Sequence, residues 1–499
     1  MKQKHFLTIR KVCSMAVMAC GVLFLGSCAK DGYDDNERFN TGVNNTQVEA
    51  VKADGITIVA SADGKTQTIS WPVVMGAGGY RVTLIDAGNP NEPIINDSIV
   101  DGCAVTSSRA EDVNYKLTIL ALGDKGRGNG NATEPTIKEF STFTPTYKTI
   151  PGGSNLNDWF AANAFPEEMK GENLNFDLEA GAEYTLSGTL NFGIQPVTLR
   201  SNSKSNHATI KYAGEASITF EAPFNLKYVD VDCSAMEVAS TNHGIFAFSK
   251  EPVGPKATDI DATIYKWEGQ IIDKPVTFIS CNVKSLKSYF LWDNQQKVCA
   301  LTVLIDNCVV HLAPEKAFAG GVFWTNKGGH INDMTISNST FYELPNCEFD
   351  YKYFYQAGGV SAHEVLVSDA STNTLTYKNS TFYHVTWNSG QWGNYNRMQG
   401  RAWSYWVMTD CIFYDCSTAG SVPRRFLHGQ AYASSPQNKT FNNNTYMKND
   451  GTFQDPQNYD ESGTIIEEDP QFANPEAGDF HISGPTQIAR KTGDPRWLP

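Results

Sequence analysis

The sequence predicts an all-β protein whose larger part is a right-handed parallel β-helix, preceded by a smaller β-sandwich. Two observations predict it. A six-residue unit recurs through the second half at uneven spacing, and the segment before it alternates apolar and polar residues in short runs separated by turn formers. Composition agrees: of 499 residues, 41% are hydrophobic and 19% charged, enough to bury a sizeable core in two or three domains.

The first 27 residues are a signal peptide. Lys2, Lys4, Arg10 and Lys11 precede an apolar run from Met15 to Leu25 that is too short for a comfortable membrane span. Small residues then lead into a cysteine. The sequence Leu25-Gly26-Ser27-Cys28 resembles the lipobox of bacterial lipoproteins, which implies cleavage before Cys28 and its lipidation, several acyl chains anchoring the protein stably. Asp31, Asp34, Asp35 and Glu37 resemble the signal that exports such proteins to the outer face of the outer membrane, so an outer-membrane lipoprotein exposed at the cell surface is expected. Residues 28–49 then form an acidic, polar tether. Losing four basic residues with the signal takes the formal charge from -14 to -18, which argues against a nucleic-acid partner. Eight cysteines remain after Cys13, Cys20 and the lipidated Cys28 are set aside, with no CxxC pair, so zinc-ribbon and thioredoxin-like readings fail.

Residues 50–146 carry the sandwich. Ile69-Ser70-Trp71, Gly79 to Leu84 and Tyr115 to Ala121 resemble strands B, C and F of a fibronectin type III module, with Trp71 in the core and Tyr115 as a tyrosine corner. Such a module is expected to act as a spacer.

Residues 150–499 carry the β-helix. Ser154 is a candidate N-cap for a helix bearing Leu156, Trp159 and Phe160, suited to covering the open end of the first coil. Strands follow at Tyr184 to Leu190, Val197 to Arg200 and Ala216 to Phe220. The repeated unit then appears as Phe278 to Val283, Ile305 to Val310, Ile336 to Phe341, Tyr377 to Phe382, Met408 to Phe413 and Phe441 to Tyr446, with Val231-Asp232-Cys233 as an earlier, degenerate copy. Its turn residue recurs every 27 to 41 residues, which suits coils sharing one strand and turn but differing in loop length. Stacking would place Cys233, Cys281, Cys308 and Cys411 in one interior column with Ser339, Ser380 and Asn444, as buried small residues and not disulfide partners. A propeller or antiparallel sandwich would need a more regular repeat.

The end of the chain, Asp469-Pro470-Gln471-Phe472 and then Gly493 to Trp497, resembles the closing segment of β-helix polysaccharide lyases. Over nearly all of its mature length the chain is similar to Bacteroidota-type surface lipoproteins of the domain of unknown function 4957 and 5123 kind, which join a fibronectin type III-like module to a pectin-lyase-like β-helix. That resemblance implies the fold, a glycan context and other glycan-uptake proteins as partners, but no catalytic residue.

Sixteen positions beyond Asn307, Asn338, Asn379 and Asp410 stand Phe323, Phe354, Tyr395 and Phe426, with Phe290 matching in the shorter coil. If this column is interior, its neighbours face solvent. Tyr289, Trp324, Tyr353, Tyr355 and Arg425 would then form an extended face, with Arg397 and His428 at its edge. Aromatic faces pack on pyranose C–H surfaces, and guanidinium groups pair with carboxylates.

A lyase would need a lowered-pKa base and neutralisation of a uronate, often through Ca²⁺, and a hydrolase would need two carboxylates. On the proposed face Asp293 is the one obvious carboxylate and no clustered acids mark a calcium site. Non-catalytic binding of a complex, uronate-containing, pectin-like polysaccharide is therefore the expected function, without cofactor or metal. The alternatives are a polysaccharide lyase acting by β-elimination, under which Ca²⁺ would enter, and a structural adhesin with no glycan ligand.

Overall fold

The computed structural model describes residues 42–62, 64–325, 327–358, 362–367, 372–395, 403–427, 438–456 and 459–499. The signal segment and Cys28 lie outside the described residues. The chain divides into two compact units between Phe143 and Thr144.

The first unit is a β-sandwich of two antiparallel sheets. Thr57–Ala60, Thr66–Ser70 and Ala104–Ser108 make one, and Ile95–Val100, Ala77–Asp86, Asn114–Gly123 and Thr136–Ser141 the other. Alternate residues of the long strands, Tyr80, Val82 and Leu84 against Tyr115, Leu117 and Ile119, are buried between them. Trp71 meets the Tyr80 ring edge-on at 5.3 Å. The Tyr115 hydroxyl accepts a 2.9 Å hydrogen bond from the Ala110 amide.

The second unit is a parallel β-helix. Three parallel sheets of nine, seven and eleven strands enclose one core, and each coil contributes in turn to the eleven-, nine- and seven-stranded sheets. The repeated motif forms the corner between the first two of these. Its turn residues Ser280, Asn307, Asn338, Asn379, Asp410 and Asn443 all adopt left-handed backbone, φ 46° to 56°. Asn and Asp tolerate that region better than other residues bearing a Cβ, which explains the motif. Strand pairing stacks the next residues, Cys281, Cys308, Ser339, Ser380, Cys411 and Asn444, in a buried column. The Ser339 hydroxyl accepts from the Cys308 amide at 3.0 Å, and Asn444 Oδ1 accepts from the Cys411 amide at 3.0 Å. All eight described cysteines are unbonded. Cys233 does not belong to the column. Asp230 pairs with Asn282, so Val229 occupies the equivalent position and Tyr228, φ 58°, makes the turn.

Inside the nine-stranded sheet, Phe341, Phe382, Phe413 and Tyr446 stack coil on coil at 6.0, 4.9 and 5.6 Å. At the N-terminal end the helix Leu156–Ala162 buries Leu156 and Phe160 against the first coils, the Phe160 ring lying 5.0 Å from Phe176. Its N-cap is Asn155, not Ser154: the Asn155 side chain accepts from the Asp158 amide, whereas the Ser154 hydroxyl turns back to the Pro151 carbonyl. At the other end the last residues run back outside the nine-stranded sheet. The Gly493 amide bonds to the Asp410 carbonyl, Asp494 meets Thr381 and Thr340, Trp497 donates to Thr340, and Arg496 reaches Asn307.

Candidate functional site

Each coil leaves the nine-stranded sheet through a second tight turn. Tyr342, Tyr383, Tyr414 and Met447 pair in register, which stacks the following residues Glu343, His384, Asp415 and Lys448 on four successive coils. Parallel neighbours lie about 4.8 Å apart, close enough for these groups to interact directly. His384 and Asp415 are left-handed, φ 56° and 50°, as are Thr386, Ser389 and Ser417 nearby. Such strain persists only where surrounding contacts impose it.

The contacts are specific. His384 Nδ1 lies 2.6 Å from Asp415 Oδ2, and its ring stacks on Trp387 at 4.7 Å with planes 9° apart. The Trp387 indole donates to Glu343 Oε2 at 2.9 Å. Asp350 accepts from the Asn388 amide at 2.8 Å and the Tyr351 amide at 2.6 Å. Burial raises the Glu343 carboxyl well above the usual range, the nearby Asp350 adding to the effect, and burial pushes Asp350 up to about 6. Two carboxyls buried together cannot both ionise cheaply, so Glu343, the more deeply buried of the two, is the one that keeps its proton. The row thus contains a neutral acid, a histidine–aspartate pair and a lysine, with Asp350 packed beside the acid.

Asp415 and Lys448 also line a cavity of about 380 Å³, with Ser417, Ser421, Arg424 and Asp455. Arg424 comes from the short helix Val422–Phe426, which Gln454 clamps to the coil by accepting from the Val422 amide and donating to the Cys416 carbonyl. The Nε atoms of Arg424 and Arg425 are buried without an acceptor, and among the described residues neither side chain is paired with a carboxylate. Burial, then the adjacent Arg424 charge, lowers the Arg425 pKa. The arrangement can receive an anion and present it to hydroxyl, amide and titratable groups.

The aromatic face expected from sequence is not where the spacing put it. Tyr289 and Tyr355 are fully buried, Trp324 and Tyr353 nearly so, and Arg425 is half-buried, so the expectation that Tyr289, Trp324, Tyr353, Tyr355 and Arg425 form one exposed surface is corrected. Tyr289 packs edge-on against Trp324 at 4.6 Å and Phe318 at 5.1 Å, and the Tyr355 hydroxyl lies 3.2 Å from that of Thr325. The expected interior column is interior, Phe290, Phe323 and Phe354 meeting at 5.3 and 5.5 Å and each reaching Phe341 in the core. Its flanking residues are covered as well, so alternation along the strand does not expose them. An irregularity between Phe318 and Gly321 also shifts the pairing, which runs Leu291, Phe323, Tyr355 and Gly393. Phe426 belongs to the short helix and not to a strand. Tyr353 and Arg425 are brought near one another, as are Tyr289 and Trp324. Arg397 and His428 lie outside the described residues.

Asp293 proves to be a backbone clamp. It is buried and accepts from the amides of Gln295, Lys327, Gly328 and Gly329. The Glu343–Lys448 row was missed although its signal is simple: each member stands five residues after the turn residue of its repeat, Asn338, Asn379, Asp410 and Asn443. Counting across the variable loops looked past it. Among the described residues no three His, Cys, Asp or Glu side chains converge as a metal-binding set.

Three family models match the chain, each described as a domain of unknown function: DUF4992 over residues 1–188, DUF4957 over 182–344 and DUF5123 over 334–497. No curated protein matches it. Among solved structures, pectate lyase PelI from Erwinia chrysanthemi aligns at 10% identity over 73% of this chain and 85% of that one, with a TM-score of 0.13, too slight a likeness to argue from.

Proposed function

We propose, from the premise that the β-helix of this chain belongs to the DUF4957 and DUF5123 families, that the protein is a surface-anchored lipoprotein that binds a polysaccharide carrying acidic sugars. The acidic residue would occupy the cavity beside the Glu343–Lys448 row. The observation that carries this reading is Arg424, whose buried Nε lacks an acceptor in a cavity shared with Lys448. A guanidinium N–H buried without an acceptor is costly, and a sugar carboxylate would supply one in bidentate geometry. The hydroxyl of Ser421, buried without a partner, suits a further sugar oxygen. Asp415 and Asp455 balance the two cations of the lining, so the anion would be held by direct pairing with the unmet Arg424 N–H and not by net charge.

Retention on immobilised polygalacturonate tests the reading. Arg424→Ala and Lys448→Ala should each weaken binding by about tenfold to a hundredfold, the worth of one charge-assisted hydrogen bond, and added salt should weaken the wild type. Unchanged retention in the double variant would reject the site. The second reading, β-elimination, is favoured by one feature, the His384–Asp415 pair at the cavity wall. Incubation of wild type and His384→Ala with the same glycan separates them: an ultraviolet signal of unsaturated ends that disappears in the variant identifies a lyase.

A further inference from the structure

A second cavity, of about 550 Å³, lies outside the seven-stranded sheet near its N-terminal end, lined by residues including Ser217, His243, Gly244, Ala247, Trp292 and Gln295. The pairing of this sheet generates a continuous row along the axis: Asn191, Thr219, Ala247, Trp292, Trp324, Gln356 and Asn394. The Trp292 and Trp324 indoles stack at 6.4 Å, 18° apart. Trp292 is only 8% exposed and its Nε1 is buried with no acceptor. His243 is 9% exposed and neither ring nitrogen meets a partner at good hydrogen-bond geometry, although the Glu215 backbone lies near enough to hold its pKa up against burial. A buried donor and a buried donor–acceptor, both unmet and both lining one cavity, are groups waiting for a ligand.

The chemistry of the walls identifies the ligand class. Burial pushes the His243 pKa down, so the ring is neutral and offers one donor and one acceptor, the complement of a hydroxyl. The cavity has one carboxylate, Glu215, and one ammonium, Lys250, so it carries no net charge, and hydroxyl and amide side chains make up most of the remainder. Asn294 and Gln295 are held at φ 51° and 60°, with Asp293 accepting from the Gln295 amide. Gly244 leaves the room the indole needs: a Cβ there would lie 2.7 Å from Trp292 Cβ and 2.9 Å from the Phe246 carbonyl oxygen. We infer that this cavity binds an uncharged sugar residue, its hydroxyls taken by Trp292 Nε1, His243 and the Asn294–Gln295 turn, as a subsite separate from the acidic-sugar cavity.

The test follows the tryptophan indole N–H resonances of the ¹⁵N-labelled full chain during titration with glucose, galactose, xylose, arabinose and mannose, and separately with galacturonate. The Trp292 signal, assigned by its absence in Trp292→Phe, should shift saturably with at least one neutral sugar and not with galacturonate. Gln295→Ala, at an exposed position that leaves the core intact, should weaken that response several-fold, and His243→Ala should abolish it. Arg424→Ala with Lys448→Ala should leave it unchanged, so failure of the acidic site and failure of this one are read apart. A Trp292 signal that no neutral sugar moves, or that only galacturonate moves, overturns the inference.

Discussion

Asparagine recurs at the first corner of four coils, Asn307, Asn338, Asn379 and Asn443, because the backbone there is left-handed and the next strand must begin at once. At Asn338, φ 50°, the side chain also donates to Asp306 Oδ1 at 2.8 Å, linking neighbouring coils. A Cβ-bearing residue without that side chain keeps the strain and loses the link. Asn338→Ala should therefore cost about 1 to 2 kcal/mol in urea unfolding, while Asn338→Gly, free of the steric penalty, should cost less. Equal losses in the two variants would mean that the inter-coil hydrogen bond, and not the conformation, selects asparagine. The same residue type was legible in the sequence as a turn former; its φ was not, because nothing local distinguishes a left-handed corner from an ordinary turn.

Between coils, Asp350, packed beside Glu343 of the row, gives a pH signature. The folded pKa of Asp350 is about 6 against an ordinary 3.8, so folding favours the protonated form. Its contribution is fully present below about pH 4, is lost as pH rises through about 6, and then stays level; Glu343, shifted in the same direction, extends the loss further up. Asp350→Asn should flatten the stability profile over this window, removing a fall of up to about 3 kcal/mol by linkage. Chemical unfolding at several pH values measures it, and a wild-type profile already flat there would show that Asp350 ionises freely. At this scale the sequence was informative for strands and poor for faces. The six-residue unit located the corner, the buried small column and the parallel stacking, since all lie within a few residues of one another. The outer rows of the seven-stranded sheet lie beyond loops of unequal length, and alternation along a strand tells inward from outward but not whether an outward residue is covered: Trp324 points outward yet is buried against Tyr289 and Trp292. Asn155 took the cap from Ser154 for a similarly local reason, a one-residue difference in where the helix begins.

For the whole molecule, the lipid anchor remains the expectation with the plainest outcome. Cys28→Ala should leave the protein soluble or unprocessed, and unaltered membrane association of that variant would remove the anchor from the account. The two units differ in how they meet their edges. The sandwich hides Tyr80 and Tyr115 between two sheets, whereas the β-helix closes one end with Leu156–Ala162.

The returning C-terminal segment adds a mechanical property. A stack of coils held only to its neighbours peels under tension, one rung at a time, each rung opposing the pull alone. Here Gly493, Asp494, Arg496 and Trp497 are fastened to coils represented by Asp410, Thr381, Thr340 and Asn307. A force applied at the chain end is resisted by several of these attachments lying along the stack, so the first event is sliding of the strap as a whole and not the unzipping of the last coil.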